Sequence, residues 1–305
     1  MNIVSIVVLI TALSFSSHSC CVVLAHVNLS GCTLSTHQRV GSLTAKNATL
    51  ASVEAHGTAD LETTSVSGHL EVTGKLTCKG CTPGTLTKTG HGVLYNTTIQ
   101  HAFSSTNDTR ANTCTFENYF GCGEADFEHI EVAKKISNTG NVKATDSRCQ
   151  QLSVTGTVRA QQFSCSNMKI TGKTTLTDVT VTQAAEIIGS TNVYSSAFTT
   201  LEIRGKTLLS NVMADTFEVA GHLDATNADG DTFAIKANNA VFRECSIKNL
   251  YVKKRQTPPV ITIYNSPKTP ERLIARIVCE DHATKIVYEK DSVRAQETLG
   301  TTHIT

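Results

Sequence analysis

Tryptophan is absent from these 305 residues, and aromatic residues make up only 5% of the chain. That leaves little for a base-stacking platform or an aromatic sugar-binding strip. An excess of one charge is missing too: 27 Lys+Arg against 26 Asp+Glu give a formal charge of +1. Such a balance offers no electrostatic footprint for nucleic acid or for an acidic substrate. The eleven histidines show neither HxH nor HExxH spacing. Past the N-terminus no stretch approaches the ~20 consecutive apolar residues of a membrane span. What remains is rich in Thr, Ser, Ala, Val and Gly, a composition suited to a slender β core.

The stretch 140–237 organises the rest. It divides into blocks of 16 or 17 residues, as in GNVKATDSRCQQLSVT and GTVRAQQFSCSNMKIT. Glycine opens each block, at Gly140, Gly156, Gly172, Gly189, Gly205 and Gly221, and an apolar-x-apolar-x pair closes it, as at Leu152/Val154 or Leu201/Ile203. Counting the glycine as position 1, apolar or small residues recur at positions 3, 5, 8, 10, 13 and 15. Pairs two apart share one face of a strand, and the three-residue steps between pairs make corners. A fixed short period with a fixed glycine marks a solenoid. The expectation is an all-β chain: a single-stranded parallel β-helix of triangular rungs. At the widest corner, glycine is expected to supply φ > 0.

Upstream, Gly41, Gly57, Gly74 and Gly90 open further rungs, and Val27, Leu29, Cys32 and Leu34 fit a first one. Between Gly90 and Gly140 the period is lost. Taking Asn118 as a rung opener requires a loop insertion near 101–112 and a smaller one near 133–138. Insertions on solenoids project and carry binding, so His101, Asp108 and Arg110 become the candidate contact residues. Residues 1–25 are apolar with small residues after them and read as a secretory signal peptide cleaved before His26. A lipoprotein signal acylated at Cys20 and an uncleaved anchor are the alternatives. The repeat domain is placed at 26–253. After Lys253-Lys-Arg255 and Pro258-Pro259, strand candidates at 260–264, 273–279 and 285–288 suggest a C-terminal β cap over 256–305.

Cys149 and Cys165 share position 10 of successive blocks, so they are either a stacked disulfide or an inward ladder of small hydrophobes. Cys78 and Cys81 have CxxC spacing at core positions 5 and 8, which leaves core packing or a local disulfide open; no second pair makes them a zinc site. Asp224, Asp229 and Asp231 in DATNADGD suggest a calcium loop, but Ala225 takes the first ligand place, and turn formation is the simpler reading. Asp215 and Asp231 share an outward column, as a solvated face would. Sequons occur at Asn28, Asn47, Asn96 and Asn107. No catalytic set, metal site or cofactor motif emerges.

The signature Leu152-Ser-Val154-Thr-Gly156-Thr-Val158 resembles that of bactofilin-type polymer-forming β-helix proteins and of secreted bacterial adhesin-like β-solenoids. The resemblance covers roughly 41–253. It implies a rigid rod for adhesion or assembly and carries over no catalytic residue. The expected function is a secreted or cell-surface structural protein that binds a surface ligand or associates with itself. Nucleic acid and small-molecule cofactors are not expected, and membrane attachment would run only through the N-terminus. A β-helix polysaccharide lyase or hydrolase is the alternative, and it would require charged side chains clustered in a groove.

Overall fold

The computed structural model describes residues 26–235, 239–243, 245–252, 260–264, 273–280, 283–288 and 299–304. Residues 1–25, expected to be a signal peptide, lie outside them. Among the described residues every regular element is a strand. The chain divides into two compact units, 1–150 and 151–305.

In the first unit, four-residue strands alternate with longer ones: β1 (Val27–Ser30), β2 (Thr33–Val40), β3 (Leu43–Lys46), β4 (Thr49–Ala55), β5 (Ala59–Glu62), β6 (Ser65–Val72), β7 (Leu76–Lys79) and β8 (Thr82–Lys88). The alternation continues with β9 (Gly92–Tyr95), β10 (Thr98–Ser105), β11 (Thr109–Asn112), β12 (Thr115–Cys122), β13 (Ala125–Glu128), β14 (Glu131–Thr139) and the start of β15 (Val142–Thr155). From β1 to β13 each strand pairs in parallel with the strand two further on, one turn away: β1 with β3, β3 with β5, β2 with β4, β4 with β6. The longer strands shift register midway, as between Leu50 and Val53. That bend separates the second and third sides of a triangular turn. The unit is a parallel β-solenoid.

The second unit repeats the plan through β16 (Val158–Thr171), β17 (Thr174–Thr177), β18 (Thr180–Ile188), β19 (Thr191–Tyr194), β20 (Ala197–Ile235), β21 (Asn239–Arg243) and β22 (Ser246–Val252). Again β16 pairs with β17 and β18, and β17 with β19, all in parallel. Regular coiling ends after β22. There β23 (Val260–Tyr264) adds in parallel to β21, while β24 (Leu273–Glu280) and β25 (Ala283–Tyr288) follow as an antiparallel meander. β26 (Leu299–Ile304) pairs with β22. Of the three strand candidates after the proline pair only 260–264 adds to the last coil; 273–280 and 283–288 build outward from it, and the second edge is taken by 299–304, which the sequence did not single out.

Most inward positions are apolar and stack in columns: Leu50, Leu61, Leu70 and Leu76 in the first unit, Ile187, Leu201, Ile203 and Leu209 in the second, none more than 1% exposed. Two kinds of corner hold the turns. At position 1, a Cβ on Gly57 would stand 2.5 Å from the Gly41 carbonyl oxygen, so close backbone stacking demands glycine in that turn. Positive φ is found at this corner only from Gly123 onward, for example +142° at Gly140 and +148° at Gly205. Position 7 is the second special corner, and the sequence did not reveal it. Asn47, Thr63, Asn96, His129, Asp178 and Asn227 all lie there in the left-handed region, with φ between 47° and 54°. The next side chain supports the bend: Thr64 Oγ1 donates to the Glu62 carbonyl (3.0 Å) and Ser196 Oγ to that of Tyr194 (2.7 Å).

Two sequence expectations are corrected here. Residues 101–112 form no inserted loop; β10 and β11 run through them and pair in parallel with β12 and β13. Residues 133–138 lie within β14, whose pairing to β12 absorbs a single extra residue between Phe116 and Asn118. The turns open at Asn107 and Gly123, not at Asn118, so Phe120 (43% exposed) and Cys122 face outward. The misreading has a physical source: inward places in this stretch hold Gly92, Thr97, Ser105, Thr109 and Asn138. Those residues carry no apolar signal. Volume is restored by an edge-to-face cluster of Phe103, Phe116, Tyr119 and Phe127, with ring centroids 4.9–6.3 Å apart.

Candidate surface site on the first unit

The side formed by β9, β11, β13 and β15 presents three outward columns. One holds His91, Asp108, Glu124 and Asn141; the next Val93, Arg110, Asp126 and Lys143; the third Tyr95, Asn112, Glu128 and Thr145. Register brings them together: Arg110 lies beside Val93 and Asp126, and Asp126 beside Lys143. Because strand side chains alternate, each outward column is set by the inward columns it alternates with. The columns border a trough of ≈ 360 Å³ lined by His91, Asp108, Arg110, Glu124 and Asp126. A neighbouring depression of ≈ 230 Å³ extends it toward Tyr95, Asn112, Glu128 and Lys143.

Most charges in the trough already have partners. Lys143 Nζ is 3.3 Å from Asp126 Oδ1, and His91 Nδ1 is 3.4 Å from Asp108 Oδ2. Asp108 Oδ1 accepts the Glu124 backbone N–H at 3.1 Å, and Asn112 Nδ2 donates to Glu128 Oε2 at 2.7 Å. Tyr95 is 45% exposed, an unusual position for a large ring on this surface. The arrangement offers donors, acceptors and one ring face along a groove without walls. It suits reversible recognition of a polar, extended ligand.

Of the three residues singled out in the sequence, Asp108 and Arg110 line this trough, and His101 does not. His101 lies on β10, on another side of the turn, 3.7 Å from Glu117. Glu117 also pairs with Lys134, and that contact with the nearby His101 holds its carboxyl below the usual range. Tyr95, Glu124 and Asp126 were not foreseen, because they join Asp108 and Arg110 only through the turn spacing that the polar inward residues had hidden.

Directly beneath the trough lies a buried polar cluster. Lys88 is fully buried, and its Nζ donates to the carbonyls of Gly90 (2.8 Å), Asn107 (3.1 Å) and Asp108 (2.8 Å). Burial pushes this ammonium down to about 8, with the Asp108 charge opposing the shift. Ser105 Oγ donates to the Asn107 carbonyl (2.5 Å) and Thr109 Oγ1 to Ser105 Oγ (3.0 Å). These bonds pin the backbone that presents Asp108 and Arg110.

The remaining candidates are placed elsewhere. Cys149 and Cys165 are both buried at inward places, and no disulfide joins them. Asp215 and Asp229 are exposed, and the Asp231 side chain lies outside the described residues. No group of three or more His, Cys, Asp or Glu among the described residues could hold a metal ion. Asn28, Asn47, Asn96 and Asn107 are all exposed. Compared with protein-family models, curated proteins and solved structures, the chain matches none.

Proposed function

We propose that this is a secreted or cell-surface, non-catalytic interaction protein, an adhesin-like solenoid that meets its ligand through the trough on the first unit. The observation that carries this reading is the side built by β9, β11, β13 and β15, where Tyr95, Arg110, Asp126 and Lys143 converge over a pinned backbone. Adhesion is favoured over end-to-end polymerisation by the two terminal coils. In the first, Gln38 takes an inward place opposite Val53, and Arg39 pairs with Glu54 at 2.8 Å. A polar terminal repeat with charged edges discourages strand addition. In the last, β23 and β26 occupy the edges. Export through residues 1–25 belongs to the same proposal.

The test uses mature chain 26–305 against a panel of surface polysaccharides and extracellular-matrix proteins, measured by biolayer interferometry. Binding that Tyr95→Ala and Arg110→Ala each weaken at least tenfold supports the reading. Retained binding in both variants moves the contact elsewhere. Filaments of the unliganded chain in negative-stain images would instead restore the polymer reading.

The hydrolase or lyase alternative has one specific observation behind it. Asp108, Glu124, Asp126 and His91 line a single trough, the kind of cluster such an enzyme needs. A reducing-end assay on the same polysaccharides decides it. Turnover that Asp126→Asn abolishes would replace the binding proposal with the enzyme.

A further inference from the structure

One turn of the first unit differs from its neighbours behind the position-7 corner. Positions 5 and 8 face inward across that corner. Neighbouring turns fill them with Ala45 and Ala48, Leu61 and Thr64, Leu94 and Thr97, or Phe127 and Ile130. The turn opened by Gly74 places Cys78 and Cys81 there, 0% and 1% exposed. Both thiols are free, and they hydrogen-bond to each other. The Cys81 thiol also donates to the Leu61 carbonyl at 3.4 Å. Between them Gly80 takes the corner at φ +63°, where the adjacent turns carry Thr63 and Asn96 at nearly the same angle. A Cβ on Gly80 would meet nothing nearer than Thr63 Oγ1 at 3.9 Å, so packing does not demand the glycine. The glycine leaves the corner without a side chain, and both sulfurs stay buried beneath it.

We propose that Cys78 and Cys81 are a redox pair that closes to an intramolecular disulfide when the chain folds in the presence of a disulfide oxidant. The inference leans on the export reading only for where such an oxidant is met. The Cys81 thiolate attacks one sulfur of the oxidant disulfide, and one oxidant thiolate leaves. Cys78 then loses its proton and attacks the Cys81 sulfur of the mixed disulfide, expelling the second thiolate. The two cysteines together give up two electrons and two protons, and the oxidant is reduced to two thiols. The hydrogen bond from Cys78 favours the Cys81 thiolate and keeps Cys78 protonated. Before the neighbouring turns bury the pair either thiol can make the first attack, and the balance of the reaction is the same. Cys114, two turns on in the Cys81 column, has its thiol pushed up to about 11 by burial and competes poorly.

The closed bridge would span the corner and lock the short β7–β8 connection. Only a few residues lie inside its loop, so it adds little stability through chain entropy. Its consequence is chemical: it leaves no thiol at this corner.

Lys79 lies between the two cysteines, so trypsin separates them and a bridge is read directly. Chain 26–305 is refolded with oxidised glutathione, alkylated and digested without reduction. The expected product is the peptide 76–79 disulfide-linked to 80–88, lighter by two hydrogens than the sum of its halves. Cys78→Ser and Cys81→Ser each remove it, and circular dichroism confirms that both variants keep the β spectrum. Recovery of both peptides alkylated and unlinked would overturn the proposal. So would a dominant link from Cys81 to Cys114. Because the oxidant is supplied in vitro, failure here leaves the localisation reading standing, and a cytosolic native protein leaves the chemistry standing.

Discussion

The Lys88 side chain passes directly across Gly92, and a methyl group on Gly92 would overlap its Cδ and Cε. The lysine reaches its three carbonyl acceptors through the space that the glycine leaves. Gly92→Ala should therefore destabilise the first unit by about 1–3 kcal/mol, the usual range for overpacking a core. The cost should shrink when Lys88 is first cut back to Ala, because the overlap is gone. Denaturant melts of the two single variants and the double variant give the coupling between the sites. Additive effects would show that the two residues do not share the space.

The same lysine sets a pH dependence. Its folded value, about 8, lies below that of an unfolded lysine, so at neutral pH the unfolded chain holds this proton more readily and the charge opposes folding. That handicap is fully present below the folded value and fades as pH rises from there toward the unfolded value. Lys88→Met lacks it altogether. Wild-type stability relative to Lys88→Met should therefore improve by on the order of 2 kcal/mol between about pH 7 and about pH 9.5. A difference that stays flat would mean the amine keeps ordinary basicity within its ring of carbonyls.

Much of the fold could be read from one period. Gly156, Gly172, Gly189, Gly205 and Gly221 mark turns whose inward places are mostly apolar, so glycine and pattern agree. From Lys88 to Gly140 they disagree, because Lys88, Ser105, Thr109 and Asn138 point inward and donate to nearby backbone carbonyls or, for Thr109, to the Ser105 hydroxyl. A pattern that equates inward with apolar must miss such turns. The left-handed corners were hidden for a similar reason: Asn, Asp, Thr, Ser, His and Gln all occupy them, so no single residue type marks the place. The trough was half legible. Asp108 and Arg110 stood out as charges in a polar stretch, but Tyr95 and Asp126 join them only once the turn spacing is known.

Register makes a sharp prediction in the second unit. Ile203 is fully buried, whereas Thr199 is exposed, with its hydroxyl donating to the Thr182 carbonyl at 3.0 Å. Ile203→Asp places an unpaired carboxylate between stacked turns and should cost several kcal/mol or prevent folding. Thr199→Asp should shift the melting temperature by only a degree or two. Thermal melts followed by circular dichroism compare the two. Similar losses at both positions would show that the columns are assigned to the wrong faces.

Export can be checked without a ligand. Expressed with its own N-terminus, the chain should leave the cytosol and lose about 25 residues, a cut that N-terminal sequencing reads at His26. A soluble cytosolic product that retains Met1 would reject secretion and bring the bactofilin-like reading forward. A lipid-modified Cys20 would keep the surface location and change its anchor.

The final prediction concerns the strands beyond the prolines. Parallel coiling leaves every terminal strand with unpaired N–H and C=O groups, and such an edge templates the addition of another chain. In the second unit those groups on β21 and β22 are taken by β23 and β26, and β24 and β25 then turn the sheet antiparallel, away from the coil direction. An antiparallel meander cannot be continued by another turn of the same helix, so it should stop growth at that end. Truncation after Lys254 removes all four strands and bares both edges. Light scattering at matched concentrations should then show the truncated chain associating while chain 26–305 stays dispersed. If the full-length chain assembles and the truncated one is monomeric, the C-terminal strands are the assembly element, and the terminal edges are joined to a second copy through them.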